Sequence, residues 1–138
     1  MAKLVSFLLS SQLVNANIGP VTVQQLVNPL IAIRPKYIPS EYSFAITLGI
    51  NDIDKGENTL RLLLTSPSGK DILDTNNMGL PVGPTDGILP DSLHGFVLTM
   101  PVQNVVIDEE GLYSLSVFFN DVAIATQSIP IYRQVDIK

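Results

Sequence analysis

At 138 residues, 46% of them hydrophobic and 15% charged, the chain is long enough for one domain, spanning 1–138, that buries roughly 65–70% of its unfolded surface and folds without staples. Its net charge of −5 and its eight widely spaced Lys and Arg residues exclude the clustered basic footprint that phosphate neutralisation requires, so no nucleic-acid partner is expected. The absence of cysteine removes disulfides, thiolate nucleophiles and thiolate metal ligands together, and suits a cytoplasmic setting.

Val, Leu, Ile, Ser and Thr are abundant, and ten prolines and nine glycines are scattered where they interrupt helices. Apolar runs bounded by Gly, Pro, Asn or Asp recur along the whole length, the spacing of an all-β sandwich or barrel. The pattern predicts strands near 3–10, 21–34, 41–50, 59–66, 70–74, 94–100, 102–107, 112–119 and 122–132. No segment reaches the 18 or so apolar residues of a membrane span, so no membrane partner is expected.

The first run, Leu4–Leu9 after Lys3, is shorter than the roughly 7–15 residues of an export-signal core and reads as a first strand. "VNANIGPVTV" reads as a hairpin connection in which Asn15, Asn17 and Gly19 accept positive φ and Pro20 sets the backbone beyond them. Pro29 marks an edge strand or a bulge, because proline cannot donate to a ladder. In "EYSFAITLGI", Tyr42, Phe44, Ile46, Leu48 and Ile50 share one face of a half-buried strand. Leu60, Leu62 and Leu64 repeat the pattern before the turn Ser66-Pro67-Ser68-Gly69. Residues 75–95 carry four glycines and three prolines and show no period, and long loops of this kind are often binding surfaces.

From 112 to 119, Tyr113, Leu115, Val117 and Phe119 point to one face, with Ser114, Ser116 and Phe118 on the wetter one. Asn120-Asp121 suits a two-residue hairpin turn that pairs Phe119 with Val122 and Val117 with Ile124. Ile129 and Ile131 then have the wrong parity for the core, which predicts a bulge near Gln127-Ser128, and Pro130 predicts an edge strand.

Glu109-x-Gly111-x-Tyr113-x-Leu115 resembles the acidic-x-Gly-x-Tyr-x-Cys pattern that opens the penultimate strand of immunoglobulin domains, with Leu115 in the cysteine position. The resemblance implies a mostly antiparallel, immunoglobulin-like β-sandwich in the broad sense, with Tyr113 as a corner whose hydroxyl returns to the backbone. With no cysteine and no tryptophan, the chain departs from antibody-type domains. The order of an N-terminal hairpin, a central "SPSG" turn and a last "EGLYSLSV…NDVAIA" hairpin also resembles small uncharacterised β-sandwich proteins of bacteria and their phages, a resemblance that carries no activity.

His94 is the only histidine, so one chain holds no multi-histidine metal site, and Asp91 and Ser92 beside it are loop neighbours rather than a built triad. Asn51, Asp52, Asp54, Glu57 and Asn58 are hard oxygen donors, yet no EF-hand frame fits them. A polar turn is the first reading, and weak cation binding by Asp52, Asp54 and Glu57 stays open. Asp108, Glu109 and Glu110 have no aromatic sugar platform nearby and read as a solvated turn rather than as glycosidase carboxylates. No catalytic residue, cofactor site or metal site is assigned.

Apolar residues remain where connections should be polar: Tyr37 and Ile38, then Val82, Ile88, Leu89 and Leu93 of the long loop, with Phe118 on the wetter face of the last hairpin. They are the candidate partner contacts. The expectation is a non-enzymatic protein-interaction module, an adaptor or inhibitor of a protein partner. It docks through loop 75–95 or adds a strand at an exposed edge near Pro29 or Pro130. The alternatives are a structural subunit of a phage or cell-surface assembly, formed by self-association, and a small-ligand or carbohydrate module.

Overall fold

In the computed structural model, which describes residues 2–53, 58–80 and 95–134, the alternating apolar pattern produces strands and, among the described residues, no helix. The strands are β1 (Lys3–Ile18), β2 (Val21–Leu30), β3 (Ser40–Asn51), β4 (Asn58–Thr65), β5 (Asp71–Asp74), β6 (Met78–Leu80), β7 (Gly95–Ile107), β8 (Gly111–Phe119) and β9 (Val122–Ile131). One sheet has the order β2-β1-β3-β7 and the other β5-β4-β8-β9, with β6 following β5 along the same side of β4. Every ladder between these strands is antiparallel.

The inward faces of the two sheets meet in one core. Phe44, Ile46, Leu48 and Ile50 of β3 face it, as expected, with Leu60, Leu62 and Leu64 of β4 and Tyr113, Leu115, Val117 and Phe119 of β8. Each fully buried Leu or Ile contributes about 1.5–3 kcal/mol of transfer free energy, so this period-two pattern sets which face turns inward. β3 is more deeply covered than its alternation suggests. Ala45, flanked by Ser10 of β1 and Pro101 of β7, is buried on the opposite face, as is Gly49. A Cβ on Gly49 would come 2.6 Å from the Ser6 hydroxyl, so a side chain there would make Ser6 take another rotamer.

Three expectations are corrected. The first strand does not stop at residue 10 but runs to Ile18; Asn15 and Asn17 pair with Gln24 and Thr22 in the ladder, and only Gly19 takes positive φ. The two strands expected at 94–100 and 102–107 form one strand, β7 (Gly95–Ile107), which lies at the sheet margin, where proline is tolerated. The bulge of the last hairpin sits at Ile124 rather than at Gln127-Ser128: Phe118 pairs with Ala123 and Val117 with Ala125, leaving Ile124 as the extra residue. That single insertion turns Ile129 and Ile131 into the core, where both are fully buried.

Candidate functional site

The acidic run between β7 and β8 is a clasp. Ser66, Pro67, Ser68 and Gly69 make a turn closed by Gly69 N–H donating to Ser66 O at 3.0 Å, with Gly69 at φ 93°. Glu109 grips this turn from the other connection: its carboxylate accepts from Ser68 N–H at 3.0 Å and from Ser68 Oγ–H at 2.6 Å. Lys70 Nζ donates to Asp108 at 2.8 Å, which holds the Asp108 carboxyl below the usual carboxylate range and raises the lysine. Glu110 accepts from Arg133 N–H at 3.4 Å. The Tyr113 hydroxyl donates to Glu109 O at 2.8 Å, the corner geometry expected from the sequence, and burial pushes its pKa up. The three carboxylates therefore hold separate parts of the fold together and converge on no common point.

A second polar cluster locks the opposite end of β8. Asn120 and Asp121, at φ 49° and 67°, make the two-residue turn predicted for them. Asn120 N–H donates to Thr59 O at 2.9 Å, and its side-chain oxygen accepts from Thr59 N–H at 2.8 Å. On the outer face of β4, Arg61 makes a two-pronged contact with Asp74 at 2.9 and 2.6 Å, and its guanidinium lies 5.4 Å from the Phe118 ring centroid. The hydrogen bonds from Arg61 hold the Asp74 carboxyl at about 2.

These contacts account for Phe118, a half-buried ring with an intrachain cation over it. Ile38 is half-buried against the core, whereas Tyr37 is 74% exposed. Val82, Ile88, Leu89 and Leu93 lie outside the described residues, as do His94, Asp54 and Glu57. Of loop 75–95, residues 78–80 form β6. Asp52, at φ 60°, belongs to the bend after β3.

The margins of the sheets differ more than any of these clusters. β5 is four residues long and carries Asp71 and Asp74. β7 is interrupted by Pro101 and by a bulge at Gln103-Asn104, where Asn104 takes φ 57° and donates its N–H to Ser43 Oγ at 3.0 Å. β9 has the Ile124 bulge and is closed at its far end by the segment after β2. Ile33, fully buried, forms a parallel bridge with Ile131, donating to Pro130 O at 2.9 Å and accepting from Tyr132 N–H at 3.1 Å. Arg34 ties the same strap to the carbonyls of Tyr132 and Arg133 at 3.0 and 3.2 Å. Short length, charge, proline, bulges and cover are the devices by which sheets avoid adding foreign strands.

Among the described residues, β2 has none of these along Val21–Val27. The seven residues pair with β1 in unbroken register, and only beyond them do Asn28 at φ 58° and Pro29 disturb the strand. No charged residue occurs from Leu4 to Ile33. The ladder between β1 and β3 ends at Ser10–Ala45, so among the described residues β1 pairs from Gln12 onward only with β2, a two-stranded arm about 25 Å long. Among residues with described side chains, none from Ser11 to Pro29 belongs to the core, and Val14, Ile18 and Val21 are 40%, 64% and 56% exposed. Where the arm leaves β3, a cleft of about 520 Å³ opens between Gln12 and Asn15 on one side and Ser43, Ala45, Pro101 and Gln103 on the other, with no charged residue lining it among the described residues. Sequence reasoning saw Pro29 as an edge marker; the arm escaped it because "VNAN" carries the polar residues of a turn.

The structure thus defines a protein of two antiparallel sheets with three guarded margins and one unguarded arm. The chain belongs to the family of unknown function DUF6941, whose model matches residues 26–132. The matched stretch starts within β2 and takes in the strap, both polar clusters and the strands from β3 to β9. No curated protein matches the chain.

Proposed function

We propose that this protein is a non-enzymatic interaction module that docks a protein partner by strand addition along β2. The observation that carries this reading is the unguarded edge from Val21 to Val27, uncharged and in unbroken register with β1. Alternate backbone amides and carbonyls of an edge strand point away from its one neighbour, and an incoming strand satisfies them all. The exposed Ile18 and Val21 beside the turn add apolar contact at the tip. The two-sheet body is read as an immunoglobulin-like sandwich that presents the arm. The order β5-β4-β8-β9 opposite β1-β3-β7, the parallel strap on the last strand and the Tyr113 corner support that reading.

The test is partner capture from lysate with the wild type and two charge variants. Gln25→Lys places a cation on the β2 edge at an exposed position and abolishes capture, whereas Val97→Lys, on the margin formed by β7, leaves it intact. Equal capture by all three proteins, at matched thermal stability, would refute docking at β2. The cleft beneath the arm supports a second reading, a site for a neutral ligand such as a sugar, because among the described residues amides and hydroxyls line it without a charge. Titration with neutral oligosaccharides that left the resonances of Gln12 and Gln103 unmoved would remove it.

A further inference from the structure

We infer that the strand added to β2 is β2 of a second copy of this chain, paired antiparallel about a two-fold axis; this rests on the edge reading above and names its partner. Three observations converge on a like copy. The chain carries a net charge of −5, so two copies repel wherever their charged surfaces meet, yet the arm is free of charge from Leu4 to Ile33 and is the surface over which they approach without that cost. A neutral strip also gives a charged partner strand nothing to pair with.

The arm itself asks for more strands. A two-stranded hairpin is marginal in water and three or more strands are needed for stability of their own, and none of the arm's described side chains lies in the core. Two arms joined edge to edge give the order β1-β2-β2′-β1′, a four-stranded sheet with the exposed Val14, Ile18 and Val21 of both copies on one face.

The bounds of the free edge also set a register. The Gly19-Pro20 turn limits it at one end, and Asn28 and Pro29 limit it at the other. An antiparallel self-pairing that uses all of Val21–Val27 is centred on residue 24, which places Val23 opposite Gln25 of the second copy and the reverse. Because the two strands are related by a two-fold axis, the contact closes on itself as a dimer and does not propagate.

Sedimentation velocity from about 1 µM to about 300 µM, with cysteine pairing, tests this. The wild type is expected to move from monomer to dimer over that range, and Gln25→Lys to weaken the dimer by about tenfold or more. The chain has no cysteine of its own, so Val23→Cys mixed with Gln25→Cys should oxidise to a linked dimer while neither variant alone does. A wild type that stays monomeric throughout, or a Gln25→Lys protein that dimerises as well as the wild type, overturns the inference. If the wild type is monomeric and Gln25→Lys still abolishes capture of another protein, the second copy is wrong and the β2 edge stands. If it is monomeric and capture is also unaffected, both fall.

Discussion

The body from Ile33 to Ile131 and the arm formed by residues 11–28 are built on opposite rules. In the body, polar groups near strand ends are tied to distant parts of the chain: Glu109 to Ser68, Asn120 to Thr59, Asp108 to Lys70, Arg34 to the carbonyls after β9. Its margins are short, charged, bulged or strapped. The arm has regular pairing, no charge and no described side chain in the core. The difference teaches where each region gets its stability: the body from apolar burial and long-range polar ties, the arm from its ladder with β1 and, under the proposal above, from pairing with a second copy.

Substitutions can break or sharpen that contrast, beginning with the core. Leu64→Ala or Leu115→Ala, each removing a fully buried side chain, should cost about 2–5 kcal/mol in denaturant unfolding, whereas Val14→Ala on the arm should stay within about 0.5 kcal/mol. A comparable loss at Val14 would mean that the arm is part of the body.

Gly111→Ala should follow, at about 1–3 kcal/mol. Gly111 holds φ 143°, and an added Cβ would come 2.7 Å from Pro67 Cγ, so both the backbone and the space resist a side chain. Tyr113→Phe removes the hydroxyl that donates to Glu109 O and should cost about 1 kcal/mol. The same residue gives an alkaline signature. Its folded pKa is raised by burial, so its contribution is complete below the ordinary tyrosine value near 10 and is lost as pH rises through the higher folded value.

The smallest effect is at Asp74. Its folded pKa is lowered to about 2 by Arg61, so its contribution is present above the ordinary carboxylate value and is lost as pH falls toward about 2. Asp74→Asn should flatten that part of an acid-unfolding curve by a small amount, since the pair is exposed. The arm, with no ionisable side chain from Leu4 to Ile33, should show no titration of its own across either window.

Much of this body was legible in the sequence because buried strands declare themselves. β3, β4 and β8 alternate cleanly, the Asn120-Asp121 turn has the residues its φ angles need, and the Glu109–Leu115 pattern placed the Tyr113 corner. Parity also required a bulge in the last hairpin, but parity fixes only that one residue is inserted, so Ile124 and Gln127-Ser128 were equivalent on that ground. The clasp was hidden for another reason: Glu109 and Ser68 are 41 residues apart and nothing local links them. The arm was the least legible part. A strand with none of its described side chains in the core shows no alternation to read, and Asn15 and Asn17 signal a turn wherever tertiary pairing does not overrule them.

The most direct test of the account is amide hydrogen exchange followed residue by residue at low and high protein concentration. The account predicts that, as concentration rises, exchange slows at alternate amides of Val21–Val27, while β7 and β9 keep their dilute-solution rates. Exchange along β2 that is identical at both concentrations, or slowing along β7 or β9 in its place, would contradict it.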